Sequence, residues 1–190
     1  MTTIQIKVPN WLDKICTWPV VWYRKKWYGD PFRKIPLGQG LFSLVSLKDF
    51  YWLNNYRWCA KGNNKRVYAA RFDIDGEVSK TISMHRQIMN APKGILVDHR
   101  NRDSLDNRRD NLRFATPAQN MCNRRKRKNT SSQYIGVYFD NRIHRWVAKI
   151  FADGKRIWLG CFLSELDAAH AYDIAARKYH KDFANLNFTP

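Results

Sequence analysis

A run of five consecutive cations divides this sequence and restricts how it can fold. Residues 124–128 read RRKRK and are followed by the small polar residues of NTSSQ. Such a segment cannot bury a hydrophobic core, so it is typical of a linker between folded domains. We therefore expect domains at 38–123 and 133–190, a basic linker at 124–132, and a Trp-rich basic segment at 1–37 to which the sequence assigns no function.

The charge of the chain predicts a polyanionic partner. The formal net charge is +18 over 190 residues, which favours nucleic acid first and an anionic membrane second. The charge is uneven, because residues 38–123 carry +6 and residues 129–190 only +2. The cationic run is compatible with a solvated tether, a phosphate-gripping strap or a nuclear address. Its candidate phosphate contacts are Arg124, Arg125, Lys126, Arg127 and Lys128.

Cysteine spacing and hydropathy predict a soluble, unexported protein in the cytoplasm. The four cysteines lie far apart and form no CxxC pair, so neither a zinc ribbon nor a secreted disulfide framework is expected. The longest apolar stretch near the N-terminus, ICTWPVVWY, has nine residues and is followed by RKK. That stretch is too short to span a bilayer.

The region before position 90 predicts mixed helices and strands. LFSLV is typical of a buried strand, and Ser46 with Asp49 forms an S-x-x-D capping box for a helix through LKDFYWLNNY. RVYAARFDIDGEVSKTISM predicts two strands joined by a tight turn at Asp75 and Gly76. HRQIMN predicts a short helix. The fold class is therefore expected to be α+β.

The C-terminal domain predicts three strands and one helix. YIGVYF (134–139), RWVAKIF (145–151) and RIWLGCF (156–162) are rich in aromatic and β-branched residues, which favours an antiparallel meander. Ser164 caps the helix LDAAHAYDIAARKY, whose small residues allow close packing on the sheet.

Alternation along the strands predicts which face of this sheet stays open. The side chains expected toward the helix are Trp146, Ala148, Ile150, Ile157, Leu159 and Cys161. Those expected on the open face are Tyr138, Arg145, Val147, Lys149, Phe151, Arg156 and Trp158. An ordinary solvated surface rarely exposes Trp and Tyr among Arg and Lys, so the pattern favours docking in the major groove of DNA.

These blocks, with ANLNF after the helix, resemble the AP2 (ethylene-response-factor type) DNA-binding domain over essentially its whole length. The resemblance implies that the open face reads the major groove. The matching contact positions are Tyr138, Lys149, Phe151, Arg156, Trp158 and Tyr172. Plant members carry Arg or Glu at the places of Ile135, Tyr138, Lys149 and Phe151, so the resemblance predicts DNA binding rather than a target sequence.

The stretch VDHRNRDSLDNRRDNLRFATPAQN (97–120) predicts a ββα unit. GILVDH is expected as a strand, NLRFAT as the returning strand, and TPAQNMCNR as a helix with Thr116 as N-cap and Pro117 in its first position. Such a unit brings four polar side chains around one point. They are Asp98, His99, Asn111 and Asn120.

These residue types suit phosphodiester hydrolysis, which needs a base to deprotonate water and a divalent cation to stabilise charge. His99 can be that base near neutral pH, and Asn111 can orient its imidazole. The oxygens of Asp98 and Asn120 suit Mg²⁺ or Mn²⁺. Taken singly, each residue has a simpler interpretation, with Asp98, Asn107 and Asn111 as turn formers and His99 as a satisfied polar residue.

In order, DH, DNLR and TPAQN, with MHRQIM upstream, resemble the HNH endonuclease family, specifically the His-Asn-Asn variety of phage and intron-borne homing endonucleases. The resemblance implies that His99 is the general base, Asn111 the middle residue of the motif, and Asp98 with Asn120 the metal pair. Many relatives carry His at position 120. Arg86 in the upstream block is more often a scaffold residue, but it is also a candidate phosphate contact.

The sequence therefore predicts a ββα-metal nuclease module followed by a three-stranded sheet packed on one helix. The expected function is a metal-dependent endonuclease of the homing or mobile-element type, acting on double-stranded DNA with site recognition by the AP2-like domain. A DNA-binding regulator without catalysis is an alternative, and an RNA-binding protein is supported by charge alone. No membrane or protein partner is implied.

Overall fold

The chain folds as two units, Met1–Phe114 and Ala115–Pro190. The structure, a computed structural model, describes residues 10–28, 31–63, 66–75, 78–124, 126 and 130–188. Helices and largely antiparallel sheets make up both units, so the predicted α+β class is confirmed. None of the described helices is long and apolar enough to cross a membrane.

The first unit opens with helix α1 (Asn10–Tyr28), strands β1 (Phe32–Gly38) and β2 (Leu41–Ser46), and helix α2 (Leu47–Leu53). Strands β1 and β2 pair antiparallel. A second antiparallel sheet contains β3 (Cys59–Asn63), β4 (Arg66–Asp75) and β5 (Val78–Ser83), as predicted for the last two. Gly76 of the predicted turn lies outside the described residues. Helix α3 (Met84–Ile88) follows.

The rest of the first unit and its border with the second hold the polar stretch. Strand β6 (Leu96–His99) pairs with β8 (Leu112–Ala115), and a 3-10 turn at Arg109–Asn111 precedes β8. Between them the short strand β7 (Asp106–Asn107) runs parallel to β2 and completes the sheet β1-β2-β7. The polar loop is therefore anchored to the N-terminal sheet.

The core of the first unit draws on the N-terminal segment. Ile35 and Leu37 of β1 are 2% and 4% exposed and pack with Val45, Leu53 and Met84 in one cluster. Part of the segment 1–37 that the sequence leaves unassigned thus supplies core residues. Helix α1, by contrast, exposes the tryptophans Trp18, Trp22 and Trp27.

The predicted capping box at the start of α2 is wrong. Ser46 makes no side-chain cap hydrogen bond, and its hydroxyl accepts from the backbone N–H of Arg109 at 3.0 Å. Asp49, 1% exposed, accepts two hydrogen bonds from the Arg109 guanidinium at 2.7 and 2.8 Å. Both residues serve a tertiary contact between α2 and the turn before β8, which local spacing does not reveal.

The second unit contains the predicted sheet and helix. Helix α4 (Pro117–Cys122) begins with Pro117 and is capped reciprocally by Thr116 and Gln119, as expected for the N-cap. Strands β9 (Val137–Asp140), β10 (Arg145–Ala152) and β11 (Lys155–Phe162) form an antiparallel sheet with β10 in the centre. The three-stranded antiparallel sheet packed on one helix, α5 (Glu165–His180), is confirmed.

Strand β9 begins later than the sequence predicts. Gly136 has φ +75°, a left-handed conformation that interrupts the extended backbone of YIGVYF. A Cβ atom there would lie 2.0 Å from Cδ2 of Tyr172 on α5. The glycine therefore allows α5 to approach the sheet closely. Ala168, Tyr172 and Ala176 of α5 are buried between the helix and the sheet.

Candidate functional site

His99 ends strand β6 and lies at the centre of the polar stretch, 6% exposed. Its Nε2 is 3.1 Å from Oδ1 of Asn107, which is fully buried on β7. The amide of Asn107 in turn donates through Nδ2 to Oγ of Ser43 on β2 at 2.8 Å. Because an amide oxygen can only accept, Nε2 of His99 carries the proton in this arrangement and Nδ1 presents the lone pair.

Asn111 has a different task from the one expected for it. Its Nδ2 donates to the Asp106 carbonyl at 2.7 Å, and its Oδ1 accepts from the Asn101 backbone N–H at 2.9 Å. These bonds hold the loop from β6 to β7. Among the described contacts, Asn107 and not Asn111 meets the imidazole of His99. Sequence reasoning misses Asn107 because its position depends on the pairing of β7 with β2.

Asp98, beside His99 on β6, forms a buried ion pair. Its Oδ2 accepts hydrogen bonds from Nε and Nη2 of Arg113 on β8 at 2.9 and 2.8 Å. The two side chains are 8% and 9% exposed. The carboxylate is therefore fixed in place and its charge is balanced by a guanidinium.

The oxygen donors of Asp98 and Asn120 suit a hard divalent cation, although only Asp98 carries a negative charge. Carboxylate and amide oxygens are the ligands that Mg²⁺ and Mn²⁺ prefer. Within the described part of the chain, no group of three or more His, Cys, Asp or Glu side chains is placed to hold a metal ion. An ion at Asp98 would share the carboxylate with Arg113. Asn120 lies on α4 in the second unit, so its pairing with Asp98 stays a prediction.

Two further rings lie near His99. The ring centroid of His85 on α3 is 5.3 Å from the centroid of the His99 ring, and that of Tyr68 on β4 is 6.3 Å from the centroid of the His99 ring. Burial lowers the pKa of His85 to about 3. Burial also lowers the pKa of His99, although its hydrogen bond to Asn107 and the nearby carboxylates oppose the shift. His99 is thus neutral near pH 7 and able to accept a proton.

Arg86 acts as a scaffold residue in the structure. Its guanidinium donates to the carbonyls of Ile95, Ala91 and Pro92 at 2.5, 3.2 and 2.8 Å. These bonds shape the segment that leads into β6. Backbone contacts thus account for the position of the Arg86 guanidinium, and a phosphate contact at Arg86 stays a prediction.

The open face of the second unit gathers most of the predicted contact residues. Register pairs Val147 with Tyr138 and Cys161, Lys149 with Trp158, and Phe151 with Arg156. Trp158 and Phe151 are 61% and 51% exposed. The ammonium of Lys149 lies 4.9 Å from the ring centroid of Tyr138. The residues that share the face are Tyr138, Arg145, Lys149, Phe151, Arg156 and Trp158.

Two expectations about this sheet are corrected. Cys161 is exposed and Phe162 packs in the core, because the register shifts between Ala148 and Lys149 and reverses the alternation along β11. Tyr172 is 5% exposed in the core between α5 and the sheet, and burial raises its pKa to about 12. Tyr172 does not share the open face with the other contact positions.

The linker is only partly described. Arg124 is exposed, and its carbonyl accepts from Nδ2 of Asn185 at 2.7 Å. The ammonium of Lys126 donates to the Thr130 hydroxyl. Arg125, Arg127 and Lys128 lie outside the described residues, so the expected phosphate contacts of this run stay predictions.

Comparison with known proteins finds a family match in each of the two regions. The family model for HNH endonuclease matches residues 90–122, and the model for the AP2 domain matches residues 132–181. The chain thus carries an HNH endonuclease domain and an AP2 domain. Both kinds of domain act on DNA.

Similar proteins cover the two domains unequally. An uncharacterized HNH endonuclease of Acanthamoeba polyphaga mimivirus is 29% identical over 162 residues, which is 82% of this chain and 80% of that protein. APETALA2-like protein 2 of Oryza sativa subsp. indica is 45% identical over 65 residues, 34% of this chain and 15% of that protein. An AP2-like ethylene-responsive transcription factor of Arabidopsis thaliana is 45% identical over 65 residues, 34% of this chain and 13% of its own length.

Proposed function

We propose that this protein is a metal-dependent endonuclease that hydrolyses phosphodiester bonds in double-stranded DNA, with site recognition by the AP2 domain. The observation that carries the proposal is the buried, neutral His99 held by Asn107 within the HNH domain. The resemblance to His-Asn-Asn homing endonucleases supports a role in the spread of a mobile element.

In this proposal His99 removes a proton from the attacking water. Its Nδ1 accepts the proton while Asn107 holds Nε2–H and keeps the ring from turning. Burial keeps the imidazole neutral before the reaction. Asn111 contributes by fixing the loop that carries Asp106 and Asn107, so the base stays in position while the substrate binds.

A divalent cation, Mg²⁺ or Mn²⁺, when bound, would stabilise negative charge on the scissile phosphate and the leaving oxygen. Asp98 and Asn120 would hold it through a carboxylate and an amide oxygen. Arg113 holds the Asp98 carboxylate in place through two hydrogen bonds to Oδ2.

Recognition is assigned to the open face of the AP2 domain. Lys149 and Arg156 offer donors to base edges, and the exposed rings of Phe151 and Trp158 offer apolar contacts such as a thymine methyl. The face is basic although the domain is nearly neutral, so its charge is concentrated where DNA would bind.

Cleavage of supercoiled plasmid tests the proposal. Purified protein with Mg²⁺ or Mn²⁺ is expected to produce nicked or linear DNA, and a chelator is expected to stop it. His99→Ala should lower the single-turnover rate by roughly 10²- to 10⁴-fold with DNA affinity nearly unchanged, because the base acts on water and not on docking. His170→Ala, which removes an exposed imidazole on α5, is the matched control and should cleave normally.

The same assay decides a second candidate, a regulator that binds DNA without cutting it. The ion pair between Asp98 and Arg113 favours this candidate, because it balances the charge that would attract a metal ion. Sequence-specific binding with no cleavage under any divalent metal would select the regulator. Cleavage by His99→Ala at the wild-type rate would remove the assignment of the base.

A further inference from the structure

We propose that Ser43 is a positioning residue for His99 and fixes, through Asn107, the nitrogen with which His99 accepts a proton. Ser43 lies on β2, outside the segment 90–122 that the HNH model matches. The inference rests on the proposed function, in which His99 is the base.

Ser43 is a fully buried side chain with directed hydrogen bonds. Its Oγ accepts from Nδ2 of Asn107 at 2.8 Å and donates to the Leu105 carbonyl at 3.1 Å, and Sδ of Met84 lies 3.2 Å away. The carbonyl and the thioether can only accept, so the hydroxyl hydrogen points toward them. The oxygen lone pair is then directed at Asn107.

The orientation of the Ser43 hydroxyl determines the orientation of the Asn107 amide. Asn107 turns its amide nitrogen to Ser43, which leaves its oxygen for Nε2–H of His99 at 3.1 Å. A rotated amide would present N–H to His99 and shift the ring toward the Nδ1–H form. That form has no acceptor at Nδ1, so it cannot remove a proton there.

The backbone of Asn107 is held independently of this hydroxyl. Strand β7 pairs with β2 through Leu44 opposite Asp106 and Val45 opposite Asn107. Removal of the Ser43 oxygen therefore leaves Asn107 in place and frees only the orientation of its amide. A change in the reaction without a change in folding is the expected signature.

The same strand supplies a matched control. Ser46, 4% exposed, also uses its hydroxyl inside the first unit, but it accepts from the backbone N–H of Arg109 at 3.0 Å. Ser46→Ala removes a buried hydroxyl from β2 with its bond to the turn before β8. Any general effect of losing such a group appears in both variants.

The experiment compares full-length Ser43→Ala, Ser46→Ala, Asn107→Ala, the Ser43→Ala/Asn107→Ala double variant and His99→Ala. Single-turnover cleavage, DNA affinity, thermal melting and the ¹⁵N shifts of the His99 imidazole are measured. Ser43→Ala is expected to slow cleavage about 10- to 100-fold, as for other groups that orient a site residue, with unchanged affinity. Wild-type His99 should show Nε2–H, and Ser43→Ala a mixture of tautomers.

The double variant tests whether Ser43 affects His99 through Asn107 or by another route. If Ser43 acts through Asn107, adding Ser43→Ala to Asn107→Ala causes no further loss. Should Ser43→Ala melt below the assay temperature, Ser43→Cys retains a weak donor and acceptor of similar size and is expected to cleave at an intermediate rate.

Three results overturn the inference: an Nδ1–H tautomer in wild-type His99, equal rates for Ser43→Ala and Ser46→Ala, or additive losses in the double variant. In those cases His99→Ala still cleaves roughly 10²- to 10⁴-fold more slowly than wild type, and the proposed endonuclease function stands. Normal cleavage by His99→Ala instead removes the assignment of His99 as the base, and no cleavage by the wild-type protein under any divalent metal removes the proposed function.

Discussion

At the scale of single residues, Asp98 is both a candidate metal ligand and one partner of a buried ion pair with Arg113. A substitution at Asp98 therefore affects stability as well as metal binding. Asp98→Ala leaves a guanidinium with 9% exposure without this carboxylate. Removing one partner of a buried ion pair costs about 3–5 kcal/mol, so this variant is expected to lose stability as well as activity. Urea unfolding measures the loss.

Two variants control this measurement. Replacing both partners, as in Asp98→Ala with Arg113→Met, should restore much of the stability, because no isolated charge stays buried. Arg142→Ala removes the exposed partner, 88% exposed, of the ion pair with Asp140, and it should change unfolding little. Equal stability of Asp98→Ala and wild type would show that the pair is absent in solution.

His85 makes stability depend on pH. Its pKa falls from 6.5 in the unfolded chain to about 3 in the fold because the ring is buried. The unfolded state therefore binds more protons between these values, and stability is full above pH 6.5 and declines as the pH falls toward 3. The slope contributed by this group is up to about 1.4 kcal/mol per pH unit.

Urea unfolding at several pH values on either side of neutral and into the acid range checks this expectation. His85→Gln should show a shallower decline than wild type, since glutamine binds no proton in this range. His170→Ala, at an exposed position, should follow the wild-type slope. Parallel curves for all three proteins would contradict the burial of His85.

The residues of the site are partly predictable from sequence. The strand order places Asp98 and His99 at the end of β6, where the pattern DH predicts them. Sequence alone favours a turn former at Asn107, because the contact of Asn107 with His99 depends on a parallel pairing with β2 far away in the chain. Arg113 and Ser43 escape sequence reasoning for the same reason, since each acts through contacts between elements.

At the scale of elements, the contact between β9 and α5 depends on a residue without a side chain. Gly136 has φ +75°, and a Cβ atom would lie 2.0 Å from Cδ2 of Tyr172 and 2.8 Å from the Lys149 carbonyl oxygen. Gly136→Ala is therefore expected to destabilise the protein by about 1–3 kcal/mol from overpacking, in addition to backbone strain.

Gly154 in the β10–β11 turn provides the control for strain. It has nearly the same φ, +76°, but nothing lies within 4 Å of a Cβ atom there. Gly154→Ala should cost about 1–2 kcal/mol from the left-handed conformation alone. The difference between the two variants in thermal or urea unfolding measures the packing of Tyr172. No difference would mean that α5 moves away from the sheet without cost.

Alternation along the strands is predictable only as far as the sheet is regular. It places Lys149, Phe151 and Trp158 on the open face, as expected. Beyond the register shift at Ala148 and Lys149 the phase changes, and Cys161 faces outward instead of inward. A bulge depends on how two strands pair, so the sequence of one strand does not reveal it.

At the scale of the whole molecule, charge and base recognition are assigned to different parts of the chain. Residues 38–123 and the linker run 124–128 carry +6 and +5, whereas residues 129–190 carry +2. Binding to phosphates supplies affinity that depends on salt, and hydrogen bonds to base edges supply sequence preference. The distribution therefore predicts that the linker contributes to binding any DNA and the AP2 face to choosing a site.

Two full-length variants test this division. Replacing RRKRK with neutral glutamines should weaken binding to selected and random DNA alike. The slope of log affinity against log salt should become shallower by up to about 0.9 for each phosphate that the run no longer neutralises.

Arg156→Ala should reduce the preference for the selected site by roughly 1–3 kcal/mol, if the arginine makes a bidentate contact with guanine, while affinity for random DNA persists. Binding is measured by competition against a randomised DNA pool over a series of salt concentrations. An unchanged salt slope in the first variant would make the run a tether only, and an unchanged preference in the second would place the choice of site outside the open face.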